Sequence, residues 1–110
     1  MDYVRRRFEV KEINKMSHIY RLSIPYPDRY DLDTDTYTFL FKKRPSKEKV
    51  MEVLSYLTAT SKDAWAYASM LSLFKRTELP INSTYKVTTE VYTSAGPQPG
   101  IIKLERVEVF

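Results

Sequence analysis

The chain has no cysteine, a single histidine (His18), two glycines and one tryptophan among its 110 residues. Each scarcity removes a class of chemistry. Without cysteine there is no disulfide, no thiolate metal site and no thiol nucleophile, and a cytoplasmic setting is the simpler expectation. One histidine excludes both a Cys–His pair and a histidine cluster for zinc. His18 falls at the edge of a strand pattern, where a structural or solvated role is expected. Both glycines, Gly96 and Gly100, lie in one C-terminal segment. Neither a Walker-type loop nor a dinucleotide fingerprint can therefore be assembled. Long apolar runs are also missing. The richest stretch, Ala64 to Phe74, is about half the length of a membrane span and is broken by serines. The N-terminal Met-Asp-Tyr-Val-Arg-Arg-Arg lacks the apolar run of a signal peptide. The expectation is a soluble, non-enzymatic protein without membrane contact, cofactor or metal.

What remains is an ordinary globular composition, with 43% hydrophobic and 29% charged residues. The length suits one domain spanning residues 1–110, able to hide roughly two-thirds of the surface its unfolded chain exposes. Hydrophobic periodicity then places the elements. Phe8 and Val10 alternate with charged neighbours as a strand, and residues 14–17 read as a turn. A second strand covers 18–26, with Tyr20, Leu22, Ile24 and Tyr26 on one face; Pro25 and Pro27 weaken its end. An acidic loop at 27–35 leads to a third strand at 36–43.

Pro45 forces Arg44 toward an extended conformation, and Ser46 is the natural N-cap of a helix running to about Thr58. Val50, Val53, Leu54 and Leu57 form its apolar stripe. The run Thr58–Ser61 is expected to break this helix. Thr60 and Asp63 resemble a capping box for a second one, whose expected core stripe is Ala64, Tyr67, Ala68, Leu71 and Phe74, flanked by Met70. Lys75 and Arg76 suit its negative end, and Pro80 stops it. Period two then returns, with Tyr85, Val87, Thr89 and Val91 on one face of a fourth strand. A loop at 94–100 precedes a fifth strand from Ile101 to Phe110. Its apolar residues change face between Leu104 and Val107, through a bulge or burial on both sides. The fold class is α+β: a mainly antiparallel sheet of about five strands, in the order β-β-β-α-α-β-β, with both helices on one face.

Charge is distributed unevenly. Residues 1–50 hold 12 Lys/Arg against 8 Asp/Glu, and the rest of the chain holds six of each, so the net +4 arises in the first half. Two clusters carry it: Arg5-Arg6-Arg7, and Lys42-Lys43-Arg44 with Lys47 and Lys49. The second cluster surrounds the expected helix start at Ser46, where unpaired N–H groups and the dipole favour phosphate. Five of nine tyrosines (Tyr3, Tyr20, Tyr26, Tyr30, Tyr37) share this basic half, and exposed rings there would stack bases of single-stranded nucleic acid. Tyr37, Phe39 and Phe41 alternate along a strand and are expected in the core.

Two other constellations compete. Asp31, Asp33 and Asp35, near Asp28, have the alternate spacing of oxygen ligands for Mg²⁺ or Ca²⁺. As an EF-hand loop they fail: Thr36 occupies the turn-glycine position and Lys42 that of the bidentate glutamate. Aspartates and threonines also populate loops for local hydrogen-bonding reasons. Trp65 shares a helix face with Ser69, Ser72 and Arg76, away from the apolar stripe. It is either an interface anchor, with Ala66, Ser69 and Met70 around it, or a cover for the sheet edge.

Binding therefore ranks above catalysis. The leading expectation is a nucleic-acid-binding module using Arg5, Arg6, Arg7, Lys42, Lys43, Arg44, Ser46, Lys47 and Lys49. The alternative is a protein-binding accessory or inhibitor that docks through Trp65, Ser69 and Arg76 or an edge strand, with a homodimer open. Compact chains without catalytic motifs are common among virus-encoded host-modulating factors.

Overall fold

A computed structural model describes residues 3–5, 18–26, 35–62, 64–93 and 96–109. Alternation and helical stripes segregate as the sequence reading anticipates, into a five-stranded antiparallel sheet with two helices. The elements are β1 (Tyr3–Arg5), β2 (His18–Tyr26), β3 (Asp35–Phe41), α1 (Lys47–Thr60), α2 (Ala64–Arg76), β4 (Tyr85–Thr93) and β5 (Gly96–Glu108). The order across the sheet is β1-β3-β2-β5-β4, so β2 is central, β5 lies between β2 and β4, and β4 forms one edge. Among the described residues no helix is long and apolar enough to cross a membrane.

One face of the sheet carries the core. Leu22, Ile24, Phe39, Phe41, Val87, Val91, Ile102 and Leu104 lie buried against Val50, Val53, Leu54 and Leu57 of α1 and Tyr67, Met70 and Phe74 of α2. Burial of these side chains contributes roughly 1.5–3 kcal/mol each, the main term opposing chain entropy. Phe39 and Phe41 are core residues, as their alternation implies; Tyr37 packs against the cluster while half-buried.

Several boundaries differ from expectation. The strand around Phe8 and Val10, the turn at 14–17 and the loop at 27–34 lie outside the described residues, as does Asp63. Helix α1 continues two residues past Thr58, and the Thr58 and Thr60 hydroxyls fold back to donate to the Leu54 and Tyr56 carbonyls within the helix. The buried stripe of α2 is rotated: Ala66, Tyr67, Met70 and Phe74 are inside, Leu71 is half-buried and Ala68 is exposed. The segment expected as a loop at 94–100 is largely strand, since Gly96–Gly100 pair in register with Thr93–Thr89 of β4. Pro97 and Pro99 are two apart and turn the same way. They lie before the stretch where β2 pairs with β5, so their missing donors disrupt no ladder. Gly100 is needed for close approach: a Cβ there would stand 2.5 Å from Val91 Cγ2 and 3.1 Å from Pro25 Cγ. The change of face along β5 is burial on both sides, with Val107 opposite the buried Ile19 on the helix-free face.

Candidate functional site

The turn from β3 into α1 is built by its own residues. Buried Pro45 precedes Ser46, an extended N-cap (φ −71°, ψ 165°) whose Oγ accepts the Lys49 N–H at 3.1 Å. Arg44 does not point into solvent. Its Nε donates to the Ser83 carbonyl at 3.0 Å and its Nη2 to the Pro80 carbonyl at 2.9 Å. Its guanidinium carbon also stands 6.0 Å from the Tyr85 ring centre, within cation–π reach. The turn it grips bends at Asn82, which has φ 59°, and presents Ile81 at 87% exposure.

Lys47 is likewise engaged. Its Nζ donates to the Lys75 carbonyl at 2.9 Å and the Thr77 carbonyl at 2.6 Å, placing a cation on the negative end of α2. Lys49 pairs with Glu52 at 2.9 Å. Lys42 and Lys43 are exposed. Of the five cations around Ser46, Arg44 and Lys47 thus hold backbone carbonyls and Lys49 pairs with Glu52, while Lys42 and Lys43 are the exposed ones.

Strand register adds residues that linear reading could not group here. Phe41 is opposite Tyr3 on one side and Tyr20 on the other, and Tyr20 is opposite Arg106 of β5. Lys42 leaves the sheet directly after this row. Arg106 Nη2 donates to His18 Nδ1 at 3.3 Å, its Nε lies 3.5 Å from Glu108, and the His18 and Tyr20 rings meet edge-on at 5.5 Å. His18 and Tyr20 are half-buried and Arg106 is exposed. Arg5 is paired with Phe39, three residues before Lys42, so the strand bearing it is adjacent to β3. Arg6 and Arg7 lie outside the described residues. The only signal for Arg106 in the sequence was its place in a strand pattern; its neighbours follow from pairing.

Beneath Arg44, Tyr85 is 8% exposed and its hydroxyl has no hydrogen-bond partner among the described residues. Burial pushes its pKa up to about 12, although the nearby Arg44 charge pulls the other way.

On the opposite flank Trp65 is 55% exposed, and Ser69, Ser72 and Arg76 are exposed on the same helix face. Ala66 and Met70, expected to extend that patch, are instead fully buried. A groove of about 370 Å³ runs between α2 and β4, lined by Ser69, Ser72, Leu73, Arg76, Thr89 and Glu90. Of the aspartate constellation, Asp35 begins β3, while Asp28, Asp31 and Asp33 lie outside the described residues. Among the described residues no three His, Asp or Glu side chains converge as a metal site.

No protein-family model, curated protein or solved structure matches the chain.

Proposed function

We propose that this protein is a non-enzymatic module that binds nucleic acid through its phosphate backbone, at the end of the sheet where β3 passes into α1. The observation that carries the reading is the row Phe41–Tyr20–Arg106, which groups Arg106 and the His18–Tyr20 ring pair with Lys42 and Lys43. Cations supply a salt-sensitive attraction to phosphates, and half-buried rings offer a stacking edge for unpaired bases. Arg44 and Lys47 serve this surface as braces, holding the turn from which Lys42 and Lys43 project.

Binding of a fluorescent oligonucleotide tests the reading. With Lys42, Lys43 and Arg106 engaged, Arg106 exchanging its Glu108 pairing for phosphate, log affinity falls with log salt at a slope of about −3 on a duplex and about −2 on a single strand. Reversing Lys42 and Lys43 to glutamate weakens binding across all sequences, and unchanged affinity in that folded variant would overturn the proposal.

A second reading, docking of a protein, is favoured by one observation, the exposure of Trp65 beside the α2–β4 groove. Aromatic anchors of this kind dominate protein interfaces. Such a contact survives salt that removes nucleic acid, and nuclease treatment does not release it.

A further inference from the structure

The β4 edge carries a pattern the nucleic-acid reading does not use. It is nine residues long, contains no proline, and among the described residues no strand pairs with its outer side. Such an edge is a template for another strand unless something covers it. Among the described residues the other edge is a three-residue strand.

We propose that β4 is the self-pairing edge of a two-fold symmetric homodimer, in which a second copy of this chain continues the sheet antiparallel across Thr88. The occupant is specified by charge. Lys86, Thr88 and Glu90 are exposed and project from the same, helix-free face. Antiparallel pairing centred on Thr88 sets Lys86 opposite the partner's Glu90, Glu90 opposite the partner's Lys86, and the two threonines opposite each other. Moving the centre by two residues in either direction sets like charges face to face, which is unfavourable. A parallel arrangement does not close under a two-fold axis. On the helix side the same register sets Val87 opposite Thr89 and Tyr85 opposite Val91, continuing the apolar face.

The neighbouring helix obeys the same symmetry. Trp65 and Arg76 stand at opposite ends of the exposed face of α2, about 16 Å apart along the axis. Ser69 and Ser72 lie between them. A two-fold axis runs the two copies of α2 antiparallel, turning Trp65 toward the partner's Arg76, a favourable cation–π pairing. The small serines permit close approach at the centre. The α2–β4 groove lies along this seam, where a partner's helix face would seat.

The dimer stands or falls separately from nucleic-acid binding. Sedimentation velocity across a concentration series is expected to show a reversible monomer–dimer equilibrium for the unmodified chain. Lys86→Glu creates two like-charge pairs and weakens dimerisation by about tenfold or more, while Lys86→Glu with Glu90→Lys restores it. Because the chain has no cysteine, Thr88→Cys also tests the register directly: opposed Cα atoms lie about 4.5–5.5 Å apart, within disulfide range, so oxidation links two copies. Ser55→Cys, on the exposed face of α1, gives no such product. A monomer at every concentration, loss of dimer without charge-swap rescue, or equal cross-linking at residues 55 and 88 would each overturn the proposal. Circular dichroism on every variant verifies that the fold is retained.

Discussion

At the junction of β3 and α1, Arg44 and Lys47 direct their charges onto four backbone carbonyls, those of Pro80, Ser83, Lys75 and Thr77. Along β4, by contrast, Lys86 and Glu90 project into solvent from a strand whose other face is core. The first region has the denser run of cations in sequence, yet about half of that charge is committed to the fold. The second has only two charges, and both side chains are exposed. Local density of charge is therefore a poor measure of what a partner meets. Turns and helix ends consume cations, because their carbonyls lack partners of their own.

The sharpest way to break this contrast is at Arg44. Arg44→Ala removes two charge-assisted hydrogen bonds and the cover over Tyr85, and should cost about 2 kcal/mol in urea denaturation. Lys43→Ala, one residue away, should stay within about 0.5 kcal/mol while still weakening oligonucleotide binding. Equal losses in the two variants would erase the distinction between brace and contact.

Tyr85 sharpens it with a smaller effect. Its buried hydroxyl is unpartnered among the described residues, so Tyr85→Phe should leave stability unchanged or raise it by up to about 1 kcal/mol at neutral pH. The variant also alters the alkaline limb. Below pH 10 the phenol is protonated in both states. Between 10 and about 12 it ionises in the unfolded chain but not in the folded one, so stability is lost as pH rises. Tyr85→Phe removes that part of the loss, measured as thermal midpoints across alkaline pH.

The smallest effect belongs to the helix-free face. Burial raises the pKa of Glu105, but hydrogen bonds and charges from Arg21 and Lys103 outweigh it and leave the carboxyl below its ordinary value. The stability it contributes is present above the unfolded-state pKa and is lost as pH falls through the lower folded-state value. Glu105→Gln should flatten the acid limb by a few tenths of a kcal/mol, since these pairs are partly solvated.

Most of the fold was legible because it rests on periodicity. The alternation of Tyr20, Leu22 and Ile24 placed β2, and the spacing of Val50, Val53, Leu54 and Leu57 placed the buried face of α1. Where reading failed, a tertiary choice had intervened. Ala66 and Met70 are inside and Ala68 outside, a rotation of the helix that alanine, with too little hydrophobic signal, does not fix in sequence. Gly96–Gly100 read as a loop because glycine and proline mark turns; β5 tolerates them where β2 no longer pairs with it. The candidate site was half legible. Lys42 and Lys43 stood out by sequence, while Arg106 entered only through register. The commitments of Arg44 and Lys47 were invisible, because the carbonyls they bind have no sequence signature.

Lys47 ties the first turn of α1 to the end of α2, thirty positions along the chain, and Arg44 ties the exit from β3 to the entry into β4. The helical excursion from the sheet thus leaves and returns through one latched corner. Neither helix is long enough to persist in water by itself. With their outer ends fastened together, they should open to hydrogen exchange as one unit, with amides of both helices sharing a single protection limit. Releasing the latch, rather than thinning the core, is then the way to let that unit breathe independently of the sheet.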